Sequence, residues 1–262
     1  MIFEQYIANP LGKGSALVPA AQRELMKSRY KVKFDNILLR EKGKMDYRLF
    51  YNPKDNTYWI YVKIPSELVK NFYYDTIIKF YTDENVKGGG NDLFKYNAKF
   101  YSNDPSFVYT YAYVFNQNQM FIEELTSKMN KEALTQAPVQ KNPSNSVGYV
   151  KSLYFVYLLM KNRDLNKINI FNKQSETLVP RFFKENVMPA DEKIAAREEA
   201  GRGVSQRKKI KLSEEEYNKV KKLTGNKLSD KAKDRFAVTT TKTVKKITNI
   251  NSIKSTKKSK RK

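Results

Sequence analysis

Apolar residues recur along this chain in two rhythms, and the change from one to the other divides it. Tyr47-Arg48-Leu49-Phe50-Tyr51 and Thr57 to Ile64 are short aromatic and β-branched runs. The segment between them, Asn52-Pro53-Lys54-Asp55-Asn56, has the composition of a hairpin loop. Thr76 to Tyr81 reads as another strand. Beyond the glycine loop Lys87-Gly88-Gly89-Gly90-Asn91-Asp92, two more are expected, Phe94 to Tyr101 and Phe107 to Phe115, parted by Ser102-Asn103-Asp104-Pro105-Ser106. Strands in that number predict an antiparallel sheet or small barrel. From residue 116 the period lengthens: Phe121, Ile122, Leu125 and Met129 recur at helical spacing, with Glu124 and Lys128 placed as an i,i+4 pair. After a loop from Ala137 to Ser146, the positions Val150, Leu153, Tyr154, Tyr157 and Leu158 make one broad apolar face of a second helix. Two or more helices packed on the sheet predict an α+β domain over residues 46–160.

The flanks follow other patterns. Residues 1–45 read as an extended N-terminal arm, with Asn9 to Ser15 as loop and one short helix from Ala20 to Arg29, an arrangement suited to lying on a neighbouring subunit. Residues 161–212 form a connecting segment in which Pro189-Ala190-Asp191 opens a polar helix, Gly201 ends it, and Arg202 to Lys209 is a basic linker. A helical hairpin is expected over 213–236. Ser213 and Glu216 are spaced as a capping box, Leu212 and Tyr217 as a hydrophobic staple, and Gly225 as a C-terminal cap. A second short helix is expected from Asp230 to Phe236. The stripe Tyr217, Val220 and Leu223 is too thin to fold alone, so it is expected to dock on a partner. Residues 237–262 are a basic tail.

Charge sharpens that division. Fifty Lys and Arg against 27 Asp and Glu leave +23. Residues 1–180 carry 25 basic and 17 acidic groups (+8), residues 181–262 carry 25 and 10 (+15). From Arg235 to Lys262 every charge is positive. Such a segment has too few apolar groups to offset an ordering cost of roughly 1–2 kcal/mol per residue, so its expected state is disorder until a partner neutralises it. A nucleic acid does so by releasing condensed counterions from its phosphates. The candidate contacts are Arg207, Lys208, Lys209, Lys242, Lys245, Lys246, Lys254, Lys257, Lys258, Lys260, Arg261 and Lys262. A solvated, solubilising tail accounts for the same charge.

Chemistry narrows by exclusion. Cysteine and histidine are both absent, which removes disulfides, zinc knuckles, thiolate or imidazole catalysis and haem or iron–sulfur ligation by those residues. The N-terminal residues do not have the pattern of a signal peptide. The longest apolar stretch, Leu153 to Met160, is 8 residues, against the ~20 that span a bilayer, so no membrane partner is expected. Gly12-Lys13-Gly14-Ser15 fails as a phosphate loop, because Gly14 separates the lysine from the hydroxyl and Ile7 stands where an earlier glycine is needed. A metal-dependent nuclease would pair carboxylates with lysine. The chain has no Glu-x-Lys, and its one Asp-x-Lys, Asp191-Glu192-Lys193, opens a helix whose macrodipole explains the acids. No catalytic residue, metal ligand or cofactor is therefore assigned. The 213–236 hairpin has a helix-turn-helix outline. Tyr109, Tyr111 and Tyr113 alternate as a base-stacking strand face would, although packing against a helix-covered core explains the alternation more cheaply.

The chain also resembles structural proteins of tailed bacteriophages. It is rich in Asn, Lys and Tyr and free of Cys, with a Tyr-Ser-Asn-Asp-Pro-Ser-Phe segment at 101–107 and an Asn-Pro-Ser-Asn loop at 142–145. The resemblance covers residues 46–160. It implies a non-enzymatic virion component, assembled in the host cytoplasm, in the capsid interior or the head-to-tail connector. Its partners would be other virion subunits, nucleic acid bound without regard to sequence, or both, with the basic tail on DNA or on an acidic neighbour. The alternative is a cytoplasmic nucleic-acid-binding protein, regulatory or ribosome-associated, using the 213–236 helices and the basic tail.

Overall fold

A computed structural model describes residues 1–9, 20–82, 90–138, 142, 145, 147–179, 181–201, 210–212 and 236–238. The chain divides into two units, Met1–Ser205 and Gln206–Lys262. The first is α+β.

Its sheet begins with the expected hairpin. Strand β1 (Tyr47–Asn52) pairs antiparallel with β2 (Thr57–Pro65), from Asn52↔Thr57 to Tyr47↔Val62. The turn closes at Asn56, whose φ of 49° lies in the left-handed region that asparagine tolerates. Strand β3 (Tyr73–Tyr81) is antiparallel to β2, and β4 (Asn97–Ser102) to β3. The fifth strand is β5 (Glu176–Thr177), parallel to β1. The order β4-β3-β2-β1-β5 is that of an open, mixed sheet. Consecutive residues of β2 and β3 are buried, including Ile60, Val62, Ile77 and Ile78, so the central strands are covered on both faces.

Phe107 to Phe115, expected as a strand, is instead helical. Helices α3 (Pro105–Thr110) and α4 (Ala112–Gln117) occupy it. Asp104 caps α3 by accepting the Ser106 amide at 2.7 Å, and Pro105 stands in the first turn, where its missing N–H costs nothing. The buried set Phe107, Val108, Ala112, Val114 and Phe115 has helical spacing, and the tyrosine alternation obscured it. Around Leu125 a 3-10 helix, Glu123–Lys128, replaces the expected α-helix. There the side-chain partners are non-local: Glu124 receives Lys79, and Lys128 donates to the Lys184 carbonyl. The second expected helix is present as α6 (Lys151–Asn162), with Leu153, Phe155, Val156 and Met160 fully buried.

The N-terminal residues are core rather than arm. Helix α1 (Phe3–Ala8) buries Phe3, Tyr6 and Ile7, and the Phe3 ring meets Phe80, Phe94 and Phe100. The Tyr149 hydroxyl reaches the carbonyls of Ile7 and Ala8 at 3.1 Å, closing the C-terminus of α1, while the Val150 amide donates to the Tyr6 hydroxyl. Helix α2 (Ala20–Arg40) runs 21 residues, twice the expected length, and packs on α6 through Phe34 and Phe155. The Asn9 to Ser15 loop lies outside the described residues from Pro10 onward.

Helix α5 spans Lys131–Thr135, and α7 (Ile168–Gln174), α8 (Phe182–Asn186) and α9 (Ala190–Ala200) follow α6 in the chain. Helix α9 ends at Gly201, as the sequence indicates. In the second unit, β6 (Ile210–Leu212) pairs parallel with β7 (Phe236–Val238) in the register Ile210↔Phe236. Phe236, expected to end a helix, is therefore in a strand. The rest of the expected hairpin, residues 213–235, lies outside the described residues, as does 239–262.

Candidate functional site

All twelve basic residues assigned to nucleic acid, and Tyr217, Val220 and Leu223, lie outside the described residues. Tyr109, Tyr111 and Tyr113 sit on helical backbone or the junction of α3 and α4. Tyr109 is half-exposed while Tyr111 and Tyr113 pack against the core, so they form no strand face for stacking bases.

What the fold brings together is a set of charges at one end of the sheet that no sequence motif announces. Asp75 on β3 is 2% exposed. Its Oδ1 accepts the Tyr61 hydroxyl at 2.8 Å and its Oδ2 accepts Asn103 Nδ2 at 2.7 Å, with Lys193 of α9 3.7 Å away. Asn103 is itself fixed, because its Oδ1 accepts the Asp75 amide at 2.7 Å and its Nδ2 also donates to the Met188 carbonyl. Burial, followed by the Asp75 charge, drives the Tyr61 phenol well above its ordinary range. Lys193 also lies 5.2 Å from the centre of the Phe72 ring.

A second network adjoins it. Glu67, in the turn between β2 and β3, accepts Lys151 of α6 at 2.7 Å and Lys33 of α2, and Lys151 stands 3.8 Å from the Asp104 carboxylate. Burial opposes ionisation of Glu67, yet Lys151 and Lys33 outweigh it and hold the carboxyl below its usual range. Burial likewise opposes the Lys151 charge, and Asp104 and Glu67 reverse that effect. A lysine in the first turn of a helix opposes the macrodipole; the two carboxylates supply the compensation. On the other side of the sheet's middle, Lys79 has a side chain 4% exposed, between the rings of Trp59 and Tyr81. It donates to Glu124 at 2.6 Å and lies 3.1 Å from Asp55.

These groups are engaged with one another. The carboxylates of Glu67, Asp75 and Asp104 face lysines or an amide, and among the described residues no group of three or more Asp or Glu could hold a metal ion. Chemically, the arrangement ties α2, the β2–β3 turn, the N-cap of α3, α6 and α9 to one end of the sheet. Sequence reasoning missed it because directly paired members lie up to 118 positions apart, as Asp75 and Lys193 do. The one legible hint was Ser102-Asn103-Asp104-Pro105, read as a loop and in fact a helix cap that also seats Asp75.

No family model, curated protein or solved structure matches this chain. No helix among the described residues is long and apolar enough to cross a membrane.

Proposed function

We propose that this chain is a non-enzymatic structural or assembly protein, a virion component of the tailed-bacteriophage kind, that holds nucleic acid by its phosphates. The contacts are the basic residues from Arg207 to Lys209 and from Lys242 to Lys262. The observation that carries the reading is where the charge lies. Residues 1–205 hold 30 basic and 22 acidic groups (+8), whereas residues 206–262 hold 20 and 5 (+15) in little more than a fifth of the length. The last 28 residues contain ten Lys or Arg and no acid. Spaced lysines with almost no aromatic residues suit phosphate oxygens rather than base edges. Within the first unit, by contrast, nine basic side chains are spent on carboxylates, from Lys27–Glu24 to Lys193–Asp75.

The test is a salt series of binding to unrelated duplexes, for the full chain and for one truncated after Asp234. Each phosphate neutralised adds about 0.9 to the slope of log K against log salt. Truncation should flatten that slope and weaken binding equally for every duplex. Unchanged binding by the truncated chain would sink the proposal, and strong preference for one duplex would favour the cytoplasmic regulatory reading. Retention in virions after nuclease and high-salt washing tests the assignment to a particle.

A further inference from the structure

Helix α9 turns its charges two ways. Lys193 points to Asp75 and Phe72, and the Arg197 charge acts on the Tyr74 phenol, so both cations serve the first unit. Ile194 is buried between them. The four carboxylates Asp191, Glu192, Glu198 and Glu199 are all exposed, and none takes part in an ion pair among the described residues. Asp191 and Glu198, seven positions apart, share one side of the helix.

That side borders a groove of about 200 Å³ lined by Tyr109, Tyr113, Asn130, Glu132, Gln136 and Pro138, with other residues of α3, α4 and α5. Three observations join groove and helix. Asn130 Nδ2 donates to Asp191 at 3.1 Å, α3 contacts α9, and the charges of Asp191 and Glu198 both act on the Tyr109 phenol. Tyr109 is 51% exposed, the most exposed aromatic ring in the first unit's described residues. Glu132 adds a further carboxylate on the groove's lip. A strongly basic chain thus carries an uncompensated acidic face beside a half-open aromatic cleft.

We infer that this face is a docking site for a lysine-rich extended segment, and that its occupant is the stretch 235–262 of a second copy of the chain. Charge complementarity selects the occupant. Lysine and arginine stems lie along a tyrosine ring while their charged ends reach flanking carboxylates, and the 235–262 stretch offers ten such side chains with no acid to be repelled. A nucleic acid is excluded from this face by the same charges. The inference rests on reading 235–262 as a polyanion-binding segment and assigns it a second acidic partner. Protein face and phosphates would then compete for one segment, so that copies hold each other until nucleic acid displaces the contact.

Zero-length carbodiimide coupling of a mixture of isotopically heavy and light full-length chains tests it. The expected result is heavy–light cross-linked peptides joining lysines of 242–262 to Asp191, Glu192, Glu198, Glu199 or Glu132. They should be lost in high salt and on adding duplex DNA. The pair Asp191→Asn with Glu198→Gln should lower the yield at the remaining carboxylates by about fivefold or more, since rim charges set such encounters. Glu4→Gln with Glu176→Gln removes the same charge elsewhere and should leave it unchanged. Cross-links confined within single copies, or spread evenly over all exposed carboxylates, overturn the inference, as does an equal effect of the two double variants. Because the DNA salt series uses the truncated chain, failure here with intact DNA binding separates this inference from the proposed function.

Discussion

Asp75→Asn keeps the shape of a buried side chain and removes its charge, so its effect can be worked from the contacts. Asn103 cannot rotate to help, since its amide is fixed by the Asp75 backbone and the Met188 carbonyl. The new amide must therefore keep its oxygen toward Asn103 and turn its nitrogen to Tyr61. The Tyr61 hydroxyl then accepts instead of donating, and its proton has no acceptor, at about 1–3 kcal/mol. Lys193, at 3.7 Å and with a side chain 14% exposed, loses its counter-charge. Breaking a fully buried pair costs about 3–5 kcal/mol, and the longer separation and residual exposure reduce that to roughly 1 kcal/mol. The sum is about 2–4 kcal/mol. Equilibrium urea unfolding followed by the fluorescence of Trp59, the single tryptophan and 2% exposed, measures it. Tyr61→Phe completes a double-mutant cycle. Alone it should cost about 1.5–3 kcal/mol as the loss of a hydrogen bond to a charged group, but little in the Asp75→Asn background, where relief of the stranded proton offsets the acceptor that the new amide nitrogen loses. Additivity of the two changes to within about 0.5 kcal/mol would refute the account.

Gly148→Ala should lower thermal stability. At φ +54° a Cβ costs roughly 1–2 kcal/mol, and it would stand 2.9 Å from a Tyr111 ring carbon, whereas Gly43→Ala at φ +74° meets nothing within 4 Å and should show the backbone cost alone. Equal melting shifts for the two variants would dismiss the contact. Burial raises the phenols of Tyr30, Tyr61 and Tyr101 above the ordinary value of 10, so the stability they contribute is complete below pH ~10 and is lost as pH rises through their folded values. Tyrosinate absorbance should accordingly show a class that ionises only as the chain unfolds; reversible titration of all 18 tyrosines near pH 10 would contradict this. Cleavage with trypsin should leave a resistant fragment ending between Arg202 and Lys209, at the boundary of the two units; early cuts inside β1 or β2 would show the core misplaced.

The elements legible in the sequence are those whose cause is local. The β1–β2 hairpin was visible because aromatic runs flank a turn that chemistry alone specifies, and α6 because its apolar face repeats over three turns. The misreading at 107–115 has an equally local origin. Tyrosine at every second position imitates a strand, while Asp104 and Pro105, the cap that decides for helix, have the composition of a loop between strands as well. Helix α1 was missed for the opposite reason: Phe3, Tyr6 and Ile7 acquire partners only from residues 80 to 157, and six residues carry no period of their own. The charge cluster around Asp75 and Glu67 belongs to the same class. Each carboxylate is unremarkable in sequence and becomes informative only when tertiary packing sets a lysine from another helix beside it.

The closure of α1 also sets a schedule for synthesis. Tyr6 accepts the Val150 amide across 144 positions, and Ile2 bridges Asn97 at the start of the outer strand β4. A ribosome adding about 5–20 residues per second leaves the Tyr6 hydroxyl without the Val150 amide for roughly 7–30 s. During that interval the rings of Phe3 and Tyr6 gain Phe80 and Phe100 first and are fully covered only when Phe115 and Tyr157 arrive. A nascent chain of this protein therefore passes through a period in which part of its aromatic core is exposed. Codon changes that slow translation between residues 100 and 150 should lower soluble yield without altering one amino acid.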